Sequence, residues 1–307
     1  MRIGVIRADE NKTGIWYGIV AYTLWGILPL YWKLMQTVPP IEILAHRVFW
    51  SFIFMFLLIT ITGGWKTVAL GFADKKKLLL MFLCGVLVSI NWFTYIYAVN
   101  TGHVIESSMG YFINPLVVVL LGVAVFKEKM TRWQIAAVIL ATIGVLMIAV
   151  QYGRVPWLSL FLAVSFAAYG LVKKISRVDS ITGLTIETLV IMPAALFYII
   201  NLEKNALGAL GSSALSTVLF LAGTGVITAV PLIFYARGIE KTTFSMMGFL
   251  QYIAPSISLF LGIFIFKEYF SLFHLVSFSF IWAALLIFTL DSLGIIRDPF
   301  LIRSGKP

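Results

Sequence analysis

Four ionisable side chains sit inside stretches that are otherwise apolar: His46, Arg47, Glu106 and Glu187. A charge in hydrocarbon is costly, so such groups face a protein interior or a watery cavity, where they mark paths of solutes, ions or protons. Arg47 and its neighbour His46 offer positive charge and N–H donors, which suit an anionic or carbonyl-bearing solute. Glu187 and Glu106 offer carboxylates, which suit proton or ion coupling. A plain ion pair between Arg47 and Glu106, holding two helices in register, is the competing use. Neutral polar and aromatic groups complete the set: Trp50, Asn91, Trp92, Tyr95, Tyr111, Asn114, Gln251 and Tyr252. Sites for small organic molecules are mostly apolar and aromatic with a few placed polar groups. Together with His46 and Arg47, these are the candidate substrate contacts.

Other chemistries find no machinery. His46, His103 and His274 fall in three separate segments, and the lone Cys84 lies in an apolar run as a small core residue. No metal cluster, phosphate loop or nucleophile elbow can be read, so neither metal, cofactor nor enzymatic reaction is expected.

The elements that must position these residues are long apolar helices. Of 307 residues, 61% are hydrophobic and 12% charged, against roughly 25% charged in a soluble domain. That balance excludes a soluble globule and indicates an all-α, multi-pass membrane protein. A span needs about 20 mostly apolar residues, and ten stretches qualify: 14–33, 41–62, 78–98, 105–126, 133–150, 156–172, 181–200, 215–236, 244–266 and 273–292. The first lacks a small-residue cleavage site and reads as a retained helix. Only the connections near 63–77 and 201–214 have room for structure outside the bilayer.

The net charge of +10 would suggest nucleic acid in a soluble protein. Here the positive residues lie between apolar runs, so they read as topology signals and contacts to lipid, and no nucleic-acid partner is expected. Eighteen Lys and Arg residues fall on one side, while Lys33, Arg154, Lys204 and Lys267 fall on the other. Such an excess predicts both termini in the cytoplasm of a cell-membrane protein. Lys33, Lys173 and Lys174 close spans and are expected to snorkel to the interfaces. Glu128 and Glu268 are expected to pair locally with Lys127 and Lys267.

The chain repeats itself. ESSMGYFINPLVVVLLGVAVFKE (106–128) and GFLQYIAPSISLFLGIFIFKE (248–268) share Ile113/Ile253, Pro115/Pro255, Leu121/Leu261, Gly122/Gly262 and the Phe-Lys-Glu that closes each. The two units are 14–150 and 156–292. Each has five spans, an odd number, so the second is inserted upside down. Pro115 and Pro255 lack an N–H and free the carbonyl four residues earlier, which predicts a helix break in each unit. Inverted repeats with interrupted helices point to a secondary transporter with its site near the midplane. In the repeat His46 corresponds to Glu187, so inversion puts Arg47 and Glu187 on opposite sides of the midplane. A separation of roughly 12 Å in a roughly 30 Å core makes a direct pair between them unexpected.

Seven stretches carry a family resemblance: AYTLWGILPLYWK (21–33), EILAHRVFWS (42–51), NWFTYIYAVN (91–100), ESSMGYFINPL (106–116), SFAAYGLVKK (165–174), TGLTIETLVIMP (182–193) and GFLQYIAPS (248–256). The chain resembles the RarD-type permeases of the EamA branch of the drug/metabolite transporter superfamily over about 14–292. The resemblance implies ten transmembrane helices in two inverted five-helix repeats, residence in the bacterial cytoplasmic membrane and transport of a small organic solute. The wider superfamily carries a Gly-Glu pair after spans 4 and 9. Here Lys127 and Lys267 replace the Gly, and Glu128 and Glu268 match. The expected function is movement of a small organic metabolite or drug-like solute, anionic or amphipathic, by alternating access, driven by proton coupling or by exchange. A non-transporting membrane scaffold or receptor is the alternative.

Overall fold

A computed structural model describes residues 8–101, 103–153, 155–265 and 272–296. The first half holds α1 (Ala8–Trp32), α2 (Pro40–Ile61), α3 (Trp65–Ala73), α4 (Lys75–Asn100), α5 (Val104–Phe126) and α6 (Arg132–Tyr152). The second holds α7 (Trp157–Ser176), α8 (Ser180–Lys204), α9 (Ala209–Ser212), α10 (Leu215–Lys241), α11 (Phe244–Leu250), α12 (Ile253–Phe264) and α13 (Leu272–Ser292). No strand occurs among the described residues. Among the described residues ten segments are long and apolar enough to cross a membrane, with α11 and α12 forming one of them. Hydrocarbon offers the backbone no hydrogen bonds, so an apolar run of this length satisfies its own as a helix. The short α3 and α9 fill the two longer connections.

Local chemistry sets the ends. Pro40 opens α2 at a position where no N–H is needed. Thr131 and Gln134 form a reciprocal capping box at α6. The Asp179 carboxylate accepts from the Ile181 and Thr182 amides at 3.1 Å to start α8.

The packing obeys a two-fold rule. In the first half α1 packs on α10 and α12, and in the second α7 packs on α4 and α5. Helix α2 touches α8 and α10, and α8 touches α2 and α4. Exchanging the first five spans for the second five maps this set onto itself, with α5–α11 and α6–α13 crossing the axis. The fold is thus two inverted five-helix repeats. At its centre a ring cluster joins α1, α7 and α10: Trp25 lies 5.5 Å from Tyr235 and 6.0 Å from Phe166, and Tyr169 stacks on Tyr235 at 6.1 Å.

The prolines correct one expectation. Helix α5 runs without interruption through Pro115, as α1, α8 and α10 run through Pro29, Pro193 and Pro231. Only the second repeat breaks, and it breaks at Gln251–Tyr252, ahead of Pro255. There the amides of Gln251 and Tyr252 reach back three residues, to Gly248 and Phe249. A proline deletes one hydrogen bond, which a helix tolerates; the added tight turn is what ends α11.

Candidate functional site

Arg47 lies seven residues into α2, about 10 Å from its start at 1.5 Å per residue. Its guanidinium lies over two indoles, 4.9 Å from the Trp32 ring and 4.8 Å from the Trp92 ring. The guanidinium Nε donates to Thr228 Oγ1 at 3.1 Å, tying α2 to α10. Among the described residues no carboxylate lies within ion-pair distance of Arg47. Beside it are Tyr95 and Tyr111, in edge contact at 5.9 Å and both half-exposed. Glu106 falls within α5, but its side chain lies outside the described residues, so the proposed Arg47–Glu106 tie does too.

Glu187 sits on the inward face of α8, 1% exposed. Its Oε1 accepts from Lys173 Nζ at 2.5 Å and its Oε2 from the Tyr169 hydroxyl at 3.3 Å. Lys173 does not snorkel to an interface; it is buried in the bundle. The periodicity of α7 carried this signal. Ala163, Ala167, Gly170 and Lys173 fall on one face, all of them buried, so the lysine was in line with the small residues of a packing stripe. Lys174 is turned inward as well, donating to the Ile239 and Thr242 carbonyls at 2.9 and 2.6 Å. A cation on the last carbonyls of α10 complements that helix end.

Between these groups lies a cavity of about 10 Å³, lined by Ser51, Trp92, Tyr169, Glu187, Thr188 and Thr228 with apolar neighbours. That is room for roughly one water. Its walls come from α2 and α4 of one half and α7, α8 and α10 of the other, so it sits on the pseudo-two-fold. Thr228 joins the two charged centres: it holds Arg47 and faces the same void as Glu187. No direct Arg47–Glu187 bond is made.

The remaining candidates divide. The Asn91 amide donates to the Leu162 carbonyl and to Ser165 Oγ, both at 2.9 Å, which fastens α4 to α7. Asn114 does the same from α5, donating to the Ala163 carbonyl, with its own Oδ1 buried and without a partner. The Tyr252 hydroxyl donates to the Phe112 carbonyl at 3.2 Å. These three groups spend donors on neighbouring helices. His46 is 1% exposed with neither ring nitrogen hydrogen-bonded, its Nε2 3.9 Å from Glu42. Trp50 Nε1 and Gln251 Oε1 are likewise buried without partners. The Glu42 carboxylate leaves α2 to accept from the Ala209 amide at the start of α9, at 2.6 Å. Among the described residues no group of three or more His, Cys, Asp or Glu side chains is placed to hold a metal.

One end of the bundle is clasped. Lys127, with φ 56°, closes α5 in the left-handed region, and that turn sends Glu128 across to α11. The Glu128 carboxylate accepts from the Phe244 amide at 2.6 Å, the Ser245 amide at 2.9 Å and the Ser245 hydroxyl at 2.6 Å. Glu128 is thus a helix cap between halves and not the local partner of Lys127. Nearby, Thr242 donates to Asn11 Oδ1 at 2.5 Å, and Gly14 brings α1 against the Lys241–Thr242 backbone, where a Cβ would collide. Glu268 and Lys267 lie outside the described residues.

Known proteins place this architecture. Residues 12–150 match the EamA-like transporter family. The uncharacterized transporter YojE of Bacillus subtilis is 46% identical over 286 residues, covering 91% of this chain and 94% of its own. Protein RarD of Salmonella typhi is 41% identical over 286 residues, covering 93% and 97%. A solved crystal structure aligns with a TM-score of 0.69 at 16% identity, over 91% of this chain and 98% of that one, a likeness of fold. The chain belongs to the RarD-type permeases of the EamA-like transporter family, and it is a multi-pass membrane transporter.

Proposed function

We propose that this transporter is a secondary permease that carries a small organic solute across the cytoplasmic membrane by alternating access. The halves 14–150 and 156–292 rock about the central cavity, with both termini in the cytoplasm. One observation carries the reading: a small, mostly apolar void lies where the inverted halves meet, with Thr228 and Glu187 on its wall and Arg47 held by Thr228. A void of about 10 Å³ is too small for an organic solute, as a closed intermediate between two open states requires. Glu187, paired to Lys173, is the proposed proton-coupling group; Glu106 is the second candidate. The excess of Lys and Arg on one side supports the orientation.

The test is reconstitution in liposomes with a panel of labelled organic solutes, with and without a pH gradient. Wild type is expected to accumulate at least one of them. Arg47→Ala and the paired change Lys173→Met with Glu187→Leu are expected to abolish that uptake in correctly folded protein. Uptake equal to wild type in both variants rejects the site.

A further inference from the structure

We infer that Arg47, Tyr95 and Tyr111 form an anion subsite for a monocarboxylate that carries an aromatic ring. This names the substrate class of the transport site proposed above and rests on that reading. The guanidinium lies over the Trp32 and Trp92 rings, 4.9 and 4.8 Å from their centroids, and its Nε is bonded to Thr228. The remaining edge, with two terminal nitrogens and four N–H donors, has no hydrogen-bond or carboxylate acceptor among the described residues. Arg47 keeps part of its surface exposed.

A free guanidinium edge is complemented by an acid that presents two oxygens to its parallel N–H donors, as a planar carboxylate does. The indole faces hold the fork still, so little freedom is lost when the acid docks. Tyr95 and Tyr111 supply the rest. They stand in edge contact at 5.9 Å, half-exposed, and their hydroxyls have no hydrogen-bond partner among the described residues. Each offers a ring to stack on and an O–H to give a carboxylate oxygen. Among the described residues the charges favour a monoanion. Lys173 is already neutralised by Glu187, which lines the cavity, at 2.5 Å, which leaves the Arg47 charge for the ligand. A phosphate monoester would match the fork but bring close to two negative charges.

The test is calorimetric titration of the full-length protein in detergent with four probes: phenylacetate, phenylacetamide, acetate and phenyl phosphate. Phenylacetate is expected to bind at least about tenfold tighter than phenylacetamide, as loss of a bidentate charge-assisted pair implies. It is also expected to exceed acetate and phenyl phosphate. Arg47→Lys, which keeps the charge and loses the fork, is expected to weaken phenylacetate about tenfold while leaving phenylacetamide unchanged. The wild-type comparison of acid and amide stands if the variant fails to fold. Equal binding of acid and amide, tighter binding of acetate or phenyl phosphate, or no binding of phenylacetate overturns the subsite. Proteoliposomes separate the two readings. Phenylacetate that binds but does not cross sinks the placement of the transport path at this site alone; uptake of only neutral or cationic solutes sinks the subsite alone.

Discussion

At the scale of single residues, the pair Lys173–Glu187 shows how a charge is kept inside a bundle. Taking two ions out of water costs several kcal/mol each, and the pair recovers that only with tight geometry and further hydrogen bonds. Here the separation is 2.5 Å and Tyr169 holds the second carboxylate oxygen. Removing one partner strands the other. Glu187→Leu is expected to lower stability by about 3–5 kcal/mol, while Lys173→Met combined with Glu187→Leu is expected to lie within about 1 kcal/mol of wild type. Unfolding of both variants in detergent measures the difference; a single variant as stable as the double one contradicts it. Loss of transport in the stable double variant then assigns the pair to function and not to folding.

At the scale of elements, the clasp at the end of α5 rests on one unusual backbone conformation. Lys127 occupies the left-handed region at φ 56°, which costs a residue with a Cβ roughly 1–2 kcal/mol. The conformation found here is the one glycine adopts freely. Lys127→Gly is therefore expected to raise stability by about 0.5–1 kcal/mol, visible as a higher unfolding midpoint; a fall contradicts the strain. Glu128→Ala is expected to cost about 2 kcal/mol, since it strips acceptors from two amides and a hydroxyl at the start of α11. Gly225 makes the matching point in α10. A Cβ there would run into the Trp50 backbone, so Gly225→Ala is expected to push α2 from α10 and cost about 1–3 kcal/mol.

At the scale of the whole molecule, the inverted halves interdigitate, with α1 on α10 and α12, α7 on α4 and α5, α2 on α8 and α10, and the pairs α5–α11 and α6–α13. Alternating access requires that contacts between halves at one end open while those at the other close. The Asn11–Thr242 bond, at 2.5 Å, joins α1 of one half to the α10–α11 corner of the other. Cysteines introduced at both positions and bridged by oxidation are expected to stop transport, with activity restored on reduction. The one native cysteine, Cys84, is fully buried and does not compete. Undiminished transport by the bridged protein places the moving contacts elsewhere.

The number, order and bounds of the spans were legible in the sequence to within a few residues, as was the repeat that pairs them. Hydrocarbon forces a long apolar run to be a helix whatever its neighbours are, so that inference needs no tertiary information. Facing was a different matter. Lipid and protein interior are both apolar, so a membrane helix carries only a weak stripe to say which side is covered. For that reason the sequence points Lys173 and Lys174 to the interfaces and Glu128 to a local ion pair, and carries no signal for Trp32 and Thr228. The buried stripe Ala163–Ala167–Gly170 of α7 was the one cue that could have turned Lys173 inward. Pro115 and Pro255, alike in sequence, differ in outcome because the break depends on a backbone turn at Gln251 and not on the proline alone. The sequence by itself determined that ten helices cross and that the halves are inverted, through local backbone chemistry. Which charges meet inside was decided only by the packing, because partners such as Arg47 and Thr228 are 181 residues apart and no local rule links them.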